Sequence, residues 1–197
     1  MSRRIKQFVF FCLMLLSVHM TGASAEGIKI KSFELEKVEG DWLLNASFQI
    51  ELAPGLEDAV QKGVVLYFQT EFELIRGRWY WFDEKVVDVQ RTSKISYQAL
   101  TDQYRVTLGS VTITAANLKQ AMGAVSSIDD WAVIEQPMVS PNQTYVAAIR
   151  MKLDTNQLAK PFQVNAINSK AWNLQSEWSK FDFTPKMAAS THGAISQ

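Results

Sequence analysis

Trp42-Leu43-Leu44-Asn45-Ala46-Ser47-Phe48-Gln49-Ile50-Glu51-Leu52 is the stretch that decides the fold. Trp42, Leu44, Ala46, Phe48, Ile50 and Leu52 fall on one side of an extended chain, with Asn45, Ser47, Gln49 and Glu51 on the other. Successive side chains of a strand point to opposite faces, so the pattern reads as a strand with one dry and one wet face. Just upstream, Ile28 and Ile30, then Phe33 and Leu35, alternate in the same way. The slip near Ser32 reads as a bulge or bend, and Glu39-Gly40-Asp41 as a turn, which together predict a hairpin.

Working outward, Leu56, Ala59 and Val60 have the i, i+3, i+4 spacing of a short helix over Pro54–Lys62, with Pro54 in its first turn and Gly63 at its stop. Val64, Leu66, Phe68, Thr70, Phe72 and Leu74 alternate again. A break at Arg76-Gly77-Arg78 precedes an aromatic strand, Trp79-Tyr80-Trp81-Phe82, running on to Val87 and Val89. Ile95, Tyr97 and Ala99 predict one further strand and Tyr104, Val106 and Leu108 another, with Thr101-Asp102 as the turn between them. Leu118, Ala121, Met122 and Val125 predict a second helix over Ala115–Val125 that Thr114 caps.

Asp129-Asp130 reads as a loop, Trp131 and Val133 as strand or turn, and Pro137–Gln143 as a loop. Tyr145, Ala147, Ile149, Met151 and Leu153 form a clear strand pattern. Phe162, Val164 and Ala166, then Trp172, Leu174 and Trp178, then Phe181 and Phe183 close the chain's apolar segments. The expected class is mainly β: an antiparallel β-sandwich, Ig-like or similar, with two short helices. A small closed barrel is the next choice.

The chain opens with Arg3, Arg4 and Lys6, an apolar run from Phe8 to Val18, and Thr21-Gly22-Ala23-Ser24-Ala25. These are the three parts of a secretory signal, with cleavage expected after Ala25. The expected organisation is a signal peptide over 1–25, one β-rich domain over 26–185 and a disordered tail over 186–197. Cleavage removes three of the 20 basic side chains and none of the 20 acidic ones, leaving a slightly acidic surface. Such a balance gives no general attraction to nucleic acid.

The single Cys, Cys12, and one of the two His, His19, leave with the leader. The remaining His192 lies in the polar tail. A body without Cys or His builds neither a Ser-His-Asp or Cys-His apparatus nor a Cys/His zinc site. No enzyme activity, metal or cofactor is expected, and no stable membrane anchor after cleavage. Carboxylate chemistry survives the test, but Asp83-Glu84, Asp129-Asp130, Asp154 and Asp182 show no EF-hand spacing.

The candidate ligand- or partner-binding residues are Arg76, Arg78, Trp79, Tyr80 and Trp81. In a strand, Trp79 and Trp81 face one way and Tyr80 and Phe82 the other, so one aromatic face belongs to the core. The other is either a stacking platform or a second buried face, because Trp and Tyr carry large areas in ordinary cores. Arg76 and Arg78, with Arg91 beyond, are either an anion site or surface partners for acids such as Glu71 and Glu73.

Three clusters resemble an uncharacterised family of exported bacterial proteins, domain of unknown function 4390. They are Phe72-Glu73-Leu74 with Arg76, Arg78, Trp79, Trp81 and Asp83; Ser96–Thr101 running on to Tyr104-Arg105-Val106; and Leu153-Asp154-Thr155 with Lys160–Val164 and Trp172–Trp178. The resemblance covers roughly Ile30 to Phe183. It implies a Gram-negative periplasmic setting and, through genes near a two-component sensor kinase, a link to envelope signalling. Ala159 stands where the family pattern favours Pro, which implies a looser turn after Asp154. The functional expectation is an exported, non-enzymatic binding or interaction protein, whose edge strands and aromatic face engage an envelope protein such as a membrane sensor kinase. The alternative is a carrier of a small apolar or amphipathic ligand, motivated by Trp79, Trp81, Trp172 and Trp178.

Overall fold

The opening hairpin forms as its alternation dictates. In the computed structural model, which describes residues 27–80 and 82–186, β1 (Gly27–Val38) pairs antiparallel with β2 (Asp41–Glu51). The expected leader, Trp81 and the tail from residue 187 onward, His192 included, lie outside the described residues. The β1–β2 register slips between Ile30 and Ser32, at the expected bulge. Glu39 and Gly40 make the turn with φ of 51° and 110°, and positive φ at both central residues matches the twist of the flanking strands.

β7 (Ser127–Ile134) joins the other side of β2, giving a three-stranded sheet in the order β1-β2-β7. The second sheet has six strands in the order β6-β5-β4-β3-β8-β9, all neighbours antiparallel. They are β3 (Leu66–Arg76), β4 (Glu84–Gln98), β5 (Gln103–Leu108), β6 (Val111–Ala115), β8 (Tyr145–Leu153) and β9 (Ser179–Phe183). The protein is mainly β, and the two sheets stack in a sandwich-like arrangement. Leu44 and Phe48 of β2 share one core with Phe68, Phe72 and Leu74 of β3 and with Ile149 and Met151 of β8.

Three strands do not cover six, and helices cover the remainder. α1 (Pro54–Gln61) buries Leu56, Ala59 and Val60, the three positions its spacing selects. α2 (Leu118–Val125) buries Ala121, Met122 and Val125 and packs over β5 and β6. Its cap is Asn117, whose side chain accepts from the Gln120 N–H at 2.9 Å. Thr114 was the expected cap, but Thr114 and Ala115 instead pair with Arg105 and Tyr104 in β6.

Other expectations are corrected. A third helix, α3 (Lys160–Asn168), stands beside the two expected and carries Phe162, Val164 and Ala166. Pro161 sits in its first turn, where a missing N–H costs nothing, and Phe162 and Gln163 donate to Ala159 O at 2.8 and 3.3 Å. Phe162 then stacks on Trp172 with ring centroids 6.2 Å apart. Asp129 and Asp130 belong to β7 rather than a loop, and the Asp130 N–H donates to Asn45 Oδ1 at 2.9 Å. The strand expected to end at Val89 and the one expected at Ile95 are one fifteen-residue strand, β4.

β3 is closed on its outer face as well. Glu71 there is only 6% exposed. Arg150 Nε donates to Glu71 Oε2 at 2.8 Å and Lys152 Nζ reaches Oε1 at 2.5 Å. The Trp178 ring lies 4.6 Å from the Arg150 guanidinium and covers the cluster. Burial alone would raise the Glu71 pKa, but hydrogen bonds from Lys152 and Arg150 outweigh it and hold the carboxyl below its usual 4.5.

Glu71→Gln is expected to cost roughly 1–3 kcal/mol near neutral pH, because Arg150 and Lys152 lose their anion in a half-dry site. A carboxyl whose folded pKa is lowered contributes fully above its unfolded value and loses that contribution as pH falls through the folded one. Urea melts should therefore show the wild-type advantage shrinking between neutral pH and about pH 3. A gap that widens on acidification contradicts the assignment.

Candidate functional site: the tip of the β3–β4 hairpin

β3 and β4 zip together until Arg76 stands opposite Glu84. The chain has to reverse between those residues, and Gly77 opens the reversal. Trp79, Tyr80 and Phe82 therefore sit in the connecting loop, not in a strand with two aromatic faces. Trp79 is 94% exposed, Tyr80 69% and Phe82 85%. Neither a buried second face nor a flat strand platform describes them. They project from the end of the sandwich. The Trp79 and Tyr80 rings meet edge to face, centroids 5.1 Å apart and 72° between planes, a favoured aromatic geometry.

The base of the tip is held by charge. Arg76 Nε donates to Glu84 Oε2 at 2.8 Å, and the Nη2 atoms of Arg76 and Arg78 reach the same oxygen. Two guanidinium groups thus converge on one carboxylate. Their partner is Glu84, not the expected Glu71 or Glu73. Glu73 instead accepts from Lys85 Nζ at 2.6 Å, and Glu71 belongs to Arg150 and Lys152. Hydrogen bonds from Arg76 and then Arg78 hold the Glu84 carboxyl below its usual 4.5. Arg91 stands apart, opposite Thr70 in the middle of the ladder.

The other acidic candidates have local duties. Asp129 accepts from Ser127 Oγ at 3.0 and 3.1 Å. Asp154 accepts from the Asn156 N–H at 3.1 Å and caps a 3-10 turn. Among the described residues no group of three or more His, Cys, Asp and Glu side chains is placed to hold a metal.

One feature escaped the sequence reading. A groove of about 910 Å³ opens between the end of β2, α1 and α2, floored by Phe48, Ile50, Leu52, Leu118 and Met122. It joins residues far apart in the chain, so no local pattern announces it. Of the tryptophans read as a ligand platform, Trp79, Trp172 and Trp178 do not line it.

Fold and site together define an antiparallel two-sheet domain with a projecting, arginine-based aromatic hairpin. Residues 25–182 match the family described as Domain of unknown function (DUF4390), and the chain belongs to it. No curated protein and no solved structure matches the chain. Among the described residues no helix is long and apolar enough to cross a membrane.

The double clamp on Glu84 has a measurable signature. Carboxyl-carbon NMR titration should place the Glu84 pKa below 4.5. Arg76→Gln should raise it more than Arg78→Gln does, since the Arg76 contact contributes more. Equal or reversed effects would show that Arg76 is not the dominant partner.

Proposed function

We propose that this protein is an exported, periplasmic, non-enzymatic interaction module, and that its β3–β4 tip inserts into an envelope protein partner such as the sensory part of a membrane kinase. The exposure of Trp79, Tyr80 and Phe82 above paired arginines carries the reading. Trp, Tyr and Arg dominate the energetics of protein interfaces. Magnitudes favour a real contact. Three rings that each bury about 150–250 Å² at about 25 cal/mol per Å² supply roughly 11–19 kcal/mol gross. That is comparable to or above the roughly 4–15 kcal/mol cost of association. The arginine pair adds direction, because two cations share one anion and a carboxylate on the partner would relieve that imbalance. The leader pattern and a body without Cys or His support export and the absence of nucleophile–base chemistry.

Crosslinking in the periplasm followed by pull-down should return a specific envelope protein. Trp79→Ala and Arg78→Glu should each weaken its binding about tenfold or more. Both positions lie outside the core, so melting temperatures should hold. Unchanged capture by both variants, or no specific capture by wild type, defeats the reading.

The groove favours a second reading, carriage of a small amphipathic ligand. Its volume falls within the roughly 300–1,000 Å³ of small-molecule sites. Lys31 and Lys119 stand at the rim of its apolar floor. Native mass spectrometry of protein from its own source should then show a bound mass that Met122→Trp excludes, and a ligand-free mass removes this reading.

A further inference from the structure

β1 is the edge of its sheet and, at 12 residues, the longest of the four sheet edges, against eight for β7 and five each for β6 and β9. An open edge presents unpaired N–H and C=O groups, which charged side chains and bulges commonly protect from indiscriminate pairing. β1 carries both: the bulge at Lys31, and Lys29, Lys31, Glu34, Glu36 and Lys37, all exposed. Lys37 lies over the Trp42 ring, 5.8 Å from its centroid. The charges are of both signs, so this edge admits a partner whose charges run in the opposite order. None of these charges has an ion-pair partner among the described residues.

In a regular strand Lys29 and Glu36 would point to opposite faces, since odd and even positions alternate. The bulge changes this. Ile30 faces Phe48 and Ser32 faces Ser47, leaving Lys31 as an extra residue. Beyond it the faces exchange. Ile28, Ile30, Phe33 and Leu35 all pack toward the core, while Lys29, Glu34 and Glu36 share the outer face and Lys31, the extra residue, borders the groove beside Phe48 and Met122.

We infer that β1 pairs antiparallel with β1 of a second copy about a two-fold axis at Phe33. Ile30 then stands opposite Leu35, Lys29 opposite Glu36, and the Lys31-Ser32 bulge opposite Glu34. Lys29 meets Glu36 and each contact occurs twice, while Lys37 stands opposite Ile28.

The other sheet agrees with this axis. β9 is the edge on the same side of the sandwich, and its Phe181 ring lies 4.9 Å from Phe33. Antiparallel pairing of β9 with itself about Phe181 sets Lys180 opposite Asp182, both exposed. One axis through the Phe33–Phe181 contact, whose rings are tilted 53° to each other, joins both sheets to their counterparts, with Lys29 facing Glu36 in one and Lys180 facing Asp182 in the other. β1, at 12 residues, is about 40 Å long and β9, at five, about 17 Å, each with about 10 Å of flank. Together they offer roughly 570 Å² per copy, close to the lower end of specific interfaces.

Sedimentation equilibrium of the purified protein tests the pairing. A dimer is expected that weakens as salt rises. Lys29→Glu and Glu36→Lys should each weaken it about tenfold or more, since each places like charges face to face twice. The Lys29→Glu/Glu36→Lys double variant should recover to within about threefold of wild type, as should an equimolar mixture of the two single variants. Circular dichroism melts confirm that each variant is folded. A monomer up to about 0.1 mM, or a dimer indifferent to the reversals or not restored by the swap, overturns the inference.

Discussion

β3 has ladder hydrogen bonds to β4 on one side and β8 on the other, a fully buried inner face, and an outer face that is half-buried except at the buried Glu71. A strand in that position needs an apolar cover within and a satisfied polar cover without. The inner requirement is met by Leu66, Phe68, Phe72 and Leu74, all fully buried beneath the smaller sheet. The outer one rests on Glu71. An isolated carboxylate there would cost several kcal/mol, so the site holds only because Arg150 and Lys152 arrive from β8 and Trp178 lies over Arg150. β8 therefore has two functions: it continues the sheet and it neutralises the one acid buried in the sheet's centre. The exposed pairs nearby, Lys85 with Glu73 and Asp88, contribute little by comparison because water screens them.

That central ladder also determines what projects from the fold. β3 and β4 stay in register from Leu66↔Ile95 to Arg76↔Glu84, with one slip between Leu74 and Ile75. So long a pairing is stiff, and whatever joins its ends is held away from the core. Aromatic residues at such a tip have no neighbouring layer to pack against. The same Trp and Tyr on a mid-sheet strand would be buried. Their exposure follows from where the ladder ends, not from their polarity.

This explains what the sequence revealed and what it hid. Period-two alternation located β1, β2, β3, β5 and β8, because each has one dry face. The Pro54 helix was legible because its apolar spacing departs from that period. Trp79, Tyr80 and Phe82 were misread because their pattern fits a strand as well as a loop. The deciding fact was the Arg76–Glu84 pairing, which is non-local in its effect on the turn. The helix at Phe162 was hidden because its apolar residues alternate: Phe162 and Ala166 share one helix face, while Val164 lies on the opposite side and is 62% exposed. Pro161 was the available cue. The candidates Arg76, Arg78, Trp79 and Tyr80 were legible as neighbours in sequence, but Glu84 as the shared partner of the two arginines was not, because Glu71 and Glu73 offered equally plausible acids. The groove lay beyond any local reading.

The orientation of the tip relative to β1 limits what a two-fold assembly can do. Asp41, at the β1–β2 turn, shares a small cleft with Val86 and Val87, close to where β4 leaves the tip. Trp42 packs edge to face on Phe183 at the same end. The Val38 end of β1 and the aromatic tip therefore lie at one end of the sandwich. An antiparallel joint at Phe33 sends those ends in opposite directions, so the two tips of a dimer point away from each other. Such a pair cannot set both tips on one flat surface, and avidity on a single partner face is excluded by geometry. It can bridge two partners, one at each end, with each tip binding at its own single-site strength. On the two proposals above, the edge and the tip are separable: pairing at β1 would set how many copies travel together, and the tip would set what each copy grips.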